Sequence, residues 1–215
     1  GILGDGYSFN DSDYVTIPQS MDDIGFSTGM TVIGWMKIRS LSSINTLAMN
    51  YHETDHDFYE LRVETDGEVR AFVGNQDVDF IRQDSQTNIG TDEWIQLAFS
   101  WDGGLSDSNI TLFLNGSVAS SSPAGTGGFD GYQESGETTT IGLADFSSKY
   151  YSNAIMDNFR FYNATLSSEE IRAHFDFSRN NQEFFRQLQE ESTNSQIEDF
   201  AVKKRLEVTG RSGSP

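Results

Sequence analysis

The stretch Glu93-Trp94-Ile95-Gln96-Leu97-Ala98-Phe99-Ser100-Trp101-Asp102-Gly103 decides the fold class. Ile95, Leu97, Phe99 and Trp101 fall on one side of an extended chain, and Gln96, Ala98 and Ser100 on the other. That period of two predicts a strand over 94–101, broken by Asp102-Gly103-Gly104. The next run repeats the pattern, with Ile110, Leu112 and Leu114 on one face, and ends at Asn115-Gly116, a strong hairpin signal. Working backwards, Thr31 to Ile38 and Phe58 to Glu64 also read as strands, the second turning at Asp66-Gly67 into Glu68 to Val73. Up to about residue 163 the chain is therefore short strands separated by Gly, Asn, Asp and Ser clusters. This pattern specifies an all-β fold, an antiparallel two-sheet sandwich.

After Asn163 the pattern changes to a C-terminal helical extension. Ser167 followed by Glu170 is a capping box, predicting a short helix over 167–175. A second helix is expected over 180–191, where Phe184, Phe185 and Leu188 form an apolar stripe. Residues 192–215 read as a polar tail. A boundary is placed at 172/173. Residues 173–215 hold seven acidic and six basic side chains, so nearly all of the formal charge of −19 lies on 1–172. Such a break marks a solvated body and a segment that need not repel a partner.

The 33 Asp and Glu against 14 Lys and Arg exclude nucleic acid and anionic membrane surfaces as partners. With 36% hydrophobic and 13% aromatic residues, the chain has enough apolar mass for a folded core. It contains no cysteine, which removes disulfides, thiol nucleophiles and thiolate metal sites. No apolar run approaches the roughly 20 residues of a membrane span. Gly1-Ile2-Leu3-Gly4-Asp5 has neither a basic nor an apolar signal region, so the expectation is that any export signal has been removed or never existed. Four lysines against ten arginines, amid abundant Asp, Ser, Thr and Gly, suit the surface of a halophile's protein. An ordinary acidic secreted domain is the alternative.

Three stretches in order resemble the laminin G-like and pentraxin-like branch of the concanavalin A-like lectin/glucanase jelly rolls. Gly6-Tyr7-Ser8-Phe9-Asn10-Asp11-Ser12-Asp13-Tyr14-Val15-Thr16-Ile17-Pro18 is similar to the opening strand, acidic turn and second strand. Residues 93–103, leading to Leu112-Phe113-Leu114-Asn115-Gly116, resemble the central hairpin, and the run from Met156-Asp157-Asn158-Phe159 to Glu169-Glu170-Ile171 resembles the closing strand and short helix. Together they span nearly all of 6–172. The resemblance implies a non-catalytic, usually extracellular recognition module that binds carbohydrate or protein and often holds calcium.

Several candidate sites follow. Asp157 shares parity with Phe159 and Phe161, so if those rings face the core the carboxylate does too, and it then needs a cation or several donors. The resemblance implies calcium joining Asp11 or Asp13 to Asp157; the alternative is that Asp157 accepts turn amides. A second calcium position implied by the resemblance takes Asp55 and Asp57, in Tyr51-His52-Glu53-Thr54-Asp55-His56-Asp57, with Asp145; the alternative is a solvated acidic loop. His52-Glu53-Thr54-Asp55-His56 matches a zinc-protease pattern, which requires a helix, but its flanks read as strand. Glu53-Asp55-Asp57 resembles the alternating acids of the related glucanases, leaving glycoside hydrolysis a minor alternative. Three scattered histidines support no Ser-His-Asp triad, and Ala124 to Gly131 reads as a flexible loop. Tyr132, Phe146, Tyr150 and Tyr151 are the candidate sugar platforms, the alternative being that these rings pack loops onto the sandwich. Asn10, Asn109, Asn115 and Asn163 begin glycosylation sequons, Asn115 being the most accessible.

The expected function is adhesion to a cell-surface glycan or glycoprotein, at a cell or virion surface, with residues 173–215 fastening the module into a homo-oligomer or larger assembly. The competing expectation is a structural subunit of a virion, filament or surface layer that uses the same tail.

Overall fold

The computed structural model describes residues 6–10, 12–20, 28–51, 58–75, 79–132, 138–145 and 148–181. The deciding stretch lies at the centre of one sheet. Strand β8 (Trp94–Trp101) pairs antiparallel with β3 (Met30–Ile38) on one side and β9 (Ile110–Leu114) on the other. β15 (Ala154–Tyr162), β1 (Tyr7–Phe9) and β10 (Ser117–Val118) complete it in the order β1-β15-β3-β8-β9-β10. The facing sheet has the order β11-β7-β6-β5-β4-β12-β2, built from β2 (Val15–Ser20), β4 (Asn45–Tyr51), β5 (Phe58–Val63), β6 (Val69–Asn75), β7 (Asp79–Ser85), β11 (Ser121–Pro123) and β12 (Thr138–Ile141). A separate hairpin joins β13 (Leu143–Asp145) to β14 (Lys149–Tyr151).

Alternation fills the space between the sheets. Leu97, Phe99 and Trp101 of β8 meet Val32 and Met36 of β3 and Tyr59, Leu61, Val69, Ala71 and Val73 of the opposite sheet in one buried cluster. Strand pairs of this kind bury apolar area worth roughly 25 cal/mol per Å². The Asn115-Gly116 turn has φ 51° and 70°, the left-handed pair of a two-residue hairpin, and connects Leu114 to its partner Ser117. Trp101 lies at the rim of this core, where Phe129 and Tyr132 close it edge-on with centroids at 6.1 and 6.4 Å. The glycine-rich 124–131 segment is thus anchored rather than free, with Ala124 and Thr126 donating backbone hydrogen bonds to Arg82 and Phe80.

The capping box forms: the Ser167 amide donates to Glu170 Oε2 at 2.8 Å, and the Glu170 amide to Ser167 Oγ at 3.3 Å. The helix then runs without a break over 168–181, correcting the expected interruption after 175. Asp176 pairs with Arg172 one turn earlier at 3.0 Å, and Ser178 Oγ donates to the His174 carbonyl, so neither residue stops the helix. The helix covers the outer side of the first sheet. Ile171 packs on Ile33, Ala98 and Phe113, and Phe175 stacks on Trp35 at 5.5 Å. The helix therefore crosses position 172/173 intact, and residues 173–181 lie on the body. The second helix expected over 180–191 and the tail fall mostly outside the described residues.

Candidate functional site

Asp157 is not in the core. Register along β15 and β3 pairs Asp157 with Trp35 and then Arg160 with Ile33, so two residues, 158 and 159, stand opposite Gly34. This bulge flips the parity. Asn158 takes φ 54°, Met156 and Phe159 both face the sandwich interior, and Asp157 turns to the outer side beside Trp35. Gly34 is what admits Phe159: a Cβ there would lie 3.2 Å from the ring and 2.9 Å from Leu47. Asp157 Oδ1 accepts the Asn158 amide at 2.7 Å.

Nor does Asp13 approach Asp157. β1 pairs Tyr7 with Met156 and Phe9 with Ala154, so Asp157 sits beyond the start of β1 while the Asp13 turn follows its end. The two are separated by the length of the strand, three residues at about 3.3 Å each. Asp13 Oδ2 accepts the Asn10 amide at 3.2 Å. Asp145 is bound to Lys149 Nζ at 2.7 Å. Asp11, Asp55, Asp57 and Phe146 lie outside the described residues, as does His52 to His56. Among the described residues, no three acidic or histidine side chains converge as a metal site. Tyr51 and Phe58, flanking the histidine motif, are strand residues paired with each other.

Tyr132 is a buried core side chain whose hydroxyl bonds Asn50 Oδ1, which removes it as a sugar platform. Its packing against Trp101 gives the physical reason: the open end of the sandwich needs a large apolar closure. Tyr150 and Tyr151 are placed differently. In the β13–β14 hairpin Leu143 faces Tyr151, Ala144 faces Tyr150 and Asp145 faces Lys149. Leu143 and Ala144 are buried against β4, and Ser152 clamps the hairpin base by accepting the Thr46 amide at 2.8 Å and donating to its carbonyl at 3.1 Å. Gly142, φ 81°, leads into the hairpin; a Cβ there would lie 2.4 Å from the Phe9 ring.

The hairpin thereby carries a small surface of rings and charges. Tyr14, 49% exposed, lies 6.3 Å from Tyr151. Tyr150 is 38% exposed on the hairpin's other side. Hydrogen bonding to Asp145 and its charge hold the Lys149 ammonium above its usual range, with Tyr151 and Tyr14 adding to the effect. Tyr14 was not among the sequence candidates. No sequence signal pointed to it, because the pairing of Val15 with Ile141 just before the hairpin is a tertiary fact.

A second feature escaped the sequence reading. Across the outer side of the seven-stranded sheet, Arg62 binds Glu60 and Glu64, Arg70 binds Glu64 and Glu68, and Arg82 binds Asp84, all at 2.6–2.8 Å. Arg62 and Arg82 lie over the Phe72 ring at 4.6 and 5.3 Å, so that ring is covered. Burial pushes the Glu60 carboxyl up against the opposing pull of Arg62 and Thr46. Both its oxygens are engaged, by Thr46 Oγ1 and Arg62 Nη1, and it is fully buried, so the group braces the sheet and meets no substrate. The alternation Glu60-x-Arg62-x-Glu64 was its sequence signature.

Of the sequons, Asn10 and Asn109 donate their side-chain nitrogens to Asp13 and Asp102. Asn115 and Asn163 are exposed.

A family model described as the concanavalin A-like lectin/glucanases superfamily matches residues 9–172. The chain belongs to this superfamily. No curated protein matches it. Among solved structures, the CBM40 of Ruminococcus gnavus IT-sialidase, bound to α2,3-sialyllactose, is 15% identical with a TM-score of 0.60 over 81% of this chain and 98% of that one. The native heptameric SAP-like pentraxin from Limulus polyphemus is 13% identical with a TM-score of 0.54, covering 77% and 78%. The binding domain of botulinum neurotoxin DC, in complex with rat synaptotagmin II, is 13% identical with a TM-score of 0.59, covering 80% of this chain but 42% of that one. These likenesses establish the jelly-roll fold. No helix among the described residues is long and apolar enough to cross a membrane.

Proposed function

We propose that the chain is a non-catalytic extracellular recognition module whose hairpin surface, Tyr14, Tyr150, Tyr151 and the Lys149–Asp145 pair, binds a cell-surface glycan or glycoprotein. The observation carrying this reading is the exposure of Tyr14 and Tyr150 beside a charged pair on a rigidly anchored hairpin. Exposed tyrosine rings stack on the apolar face of a pyranose, and an ammonium with a carboxylate binds its hydroxyls. Support by analogy comes from the fold it shares with a module bound to sialyllactose and with a toxin binding domain bound to a protein. The buried, doubly bonded state of Glu60 supports the absence of catalysis at that acid. A glycan array probed with the purified protein tests the reading. Saturable binding to a defined set of glycans supports it, and a blank array in low and high salt refutes it.

The tail's role in assembly has its own support in charge. Residues 173–215 are nearly neutral against a strongly acidic body, so copies meet least repulsion there. Removing residues 182–215 is expected to lower the number of chains per particle measured by light scattering, and an unchanged number refutes it.

A further inference from the structure

Beside the helix, on the outer side of the first sheet, lies a hollow of about 590 Å³. Leu166, Glu170, His174 and Phe177 line it from the helix side at spacings of three and four, and Arg160 and Tyr162 line it from β15. The volume lies within the range of small-molecule sites. It is separate in the fold from the tyrosine hairpin, which rests on β4 of the other sheet.

Arg160 gives the hollow its chemistry. In a chain of net charge −19, Arg62, Arg70, Arg82 and Arg172 are each bound to a carboxylate. Arg160 makes no ion pair among the described residues: its Nε donates to Asn158 Oδ1 at 3.2 Å, and its terminal nitrogens have no partner there. A guanidinium offers two parallel donors that match one carboxylate. Across from it, Tyr162 Oη and His174 Nε2 share a hydrogen bond of 2.9 Å and provide polar groups suited to hydroxyls. Burial, then the charge of Arg160, lowers the His174 pKa and so favours the neutral ring. Glu170 is a rim anion already committed to the Ser167 amide. Phe177, 57% exposed, is a large free ring at the same hollow.

We propose that this hollow binds a carboxylate-bearing sugar, its carboxylate on Arg160, its ring on Phe177 and its hydroxyls against Tyr162 and His174. This deepens the glycan-binding reading and rests on it, but at a different surface. The body's negative field opposes any anion at low salt, so binding is measured at high ionic strength, where that field is screened within a few Å.

The test is isothermal titration of the full chain with N-acetylneuraminic acid and glucuronic acid, galactose serving as the neutral control. Either acid is expected to bind saturably and more tightly than galactose. Arg160→Gln is expected to weaken acid binding about tenfold or more, as for a lost charge-assisted contact. Phe177→Ala, at an exposed position that leaves folding intact, is expected to weaken it about fivefold. No saturable binding of either acid overturns the proposal, as does Arg160→Gln or Phe177→Ala binding like the wild type. Array binding confined to neutral glycans overturns it while sparing the hairpin reading; a blank array together with silent titrations overturns both.

Discussion

Replacing Phe175 with alanine tests whether the helix beyond residue 172 belongs to the folded body. The ring is 8% exposed, stacked on Trp35 at 5.5 Å with an 18° interplanar angle, and carries the Arg172 guanidinium 5.2 Å above it. On its other side it meets the tight turn at Gly116, where an added Cβ would lie 2.6 Å from Phe175 Cβ. Burying such a side chain is worth about 1.5–3 kcal/mol. The stacked pair adds about 1 kcal/mol, and a cavity opening toward solvent relaxes part of the difference. Phe175→Ala should therefore cost about 3 kcal/mol, which for a body of this size lowers Tm by roughly 6–12 °C. Urea unfolding followed by tryptophan fluorescence measures it, since Trp35 loses its stacking partner. Arg179→Ala, an exposed change on the same helix, is the control and should stay within about 0.5 kcal/mol. A Phe175→Ala loss no larger than that of the control would show that the helix is docked only loosely, and the extent of the body would retreat to residue 172.

Three further outcomes are expected. Burial holds Glu60 above its unfolded value, so folding takes up a proton; its contribution is greatest in acid and is lost as pH rises from the ordinary carboxylate range through the raised folded value. Glu60→Gln should flatten that part of the stability curve against pH, and an unchanged slope in urea melts would contradict the assignment. With Asp13 and Asp157 at opposite ends of β1, any rise in Tm that calcium brings should persist in Asp157→Asn, and loss of that rise in the variant would contradict the placement. The charge of −19 predicts that Tm rises steeply with salt, as self-repulsion is screened; full stability in dilute buffer by circular dichroism would refute a halophilic surface.

What the sequence made legible depended on regular periodicity. The β8 alternation assigned both faces correctly, because Leu97, Phe99 and Trp101 meet the facing sheet while Ala98 meets the helix. The Asn115-Gly116 turn and the Ser167–Glu170 cap were local chemistry and formed as read. Asp157 was misplaced because a parity argument assumes an unbroken strand, and one extra residue at Asn158 inverts it. Asparagine tolerates the left-handed conformation, so Asp157-Asn158 held a hint of the bulge that periodicity could not weigh. Tyr132 was misplaced because its glycine-rich surroundings resemble a loop, whereas the need to cap Trp101 is a tertiary fact. The Arg–carboxylate ladder was visible as alternating charge, but which strands lie side by side is known only from topology.

The central claim, recognition of glycan through the hairpin tyrosines, is tested most directly by the affinity of Tyr14→Ala with Tyr150→Ala for a neutral glycan captured by the wild type. Both rings are substantially exposed, so their loss should leave Tm nearly unchanged. At about 1 kcal/mol per stacked ring, the double variant should bind roughly 30-fold more weakly. Equal affinity in the folded double variant would contradict the account.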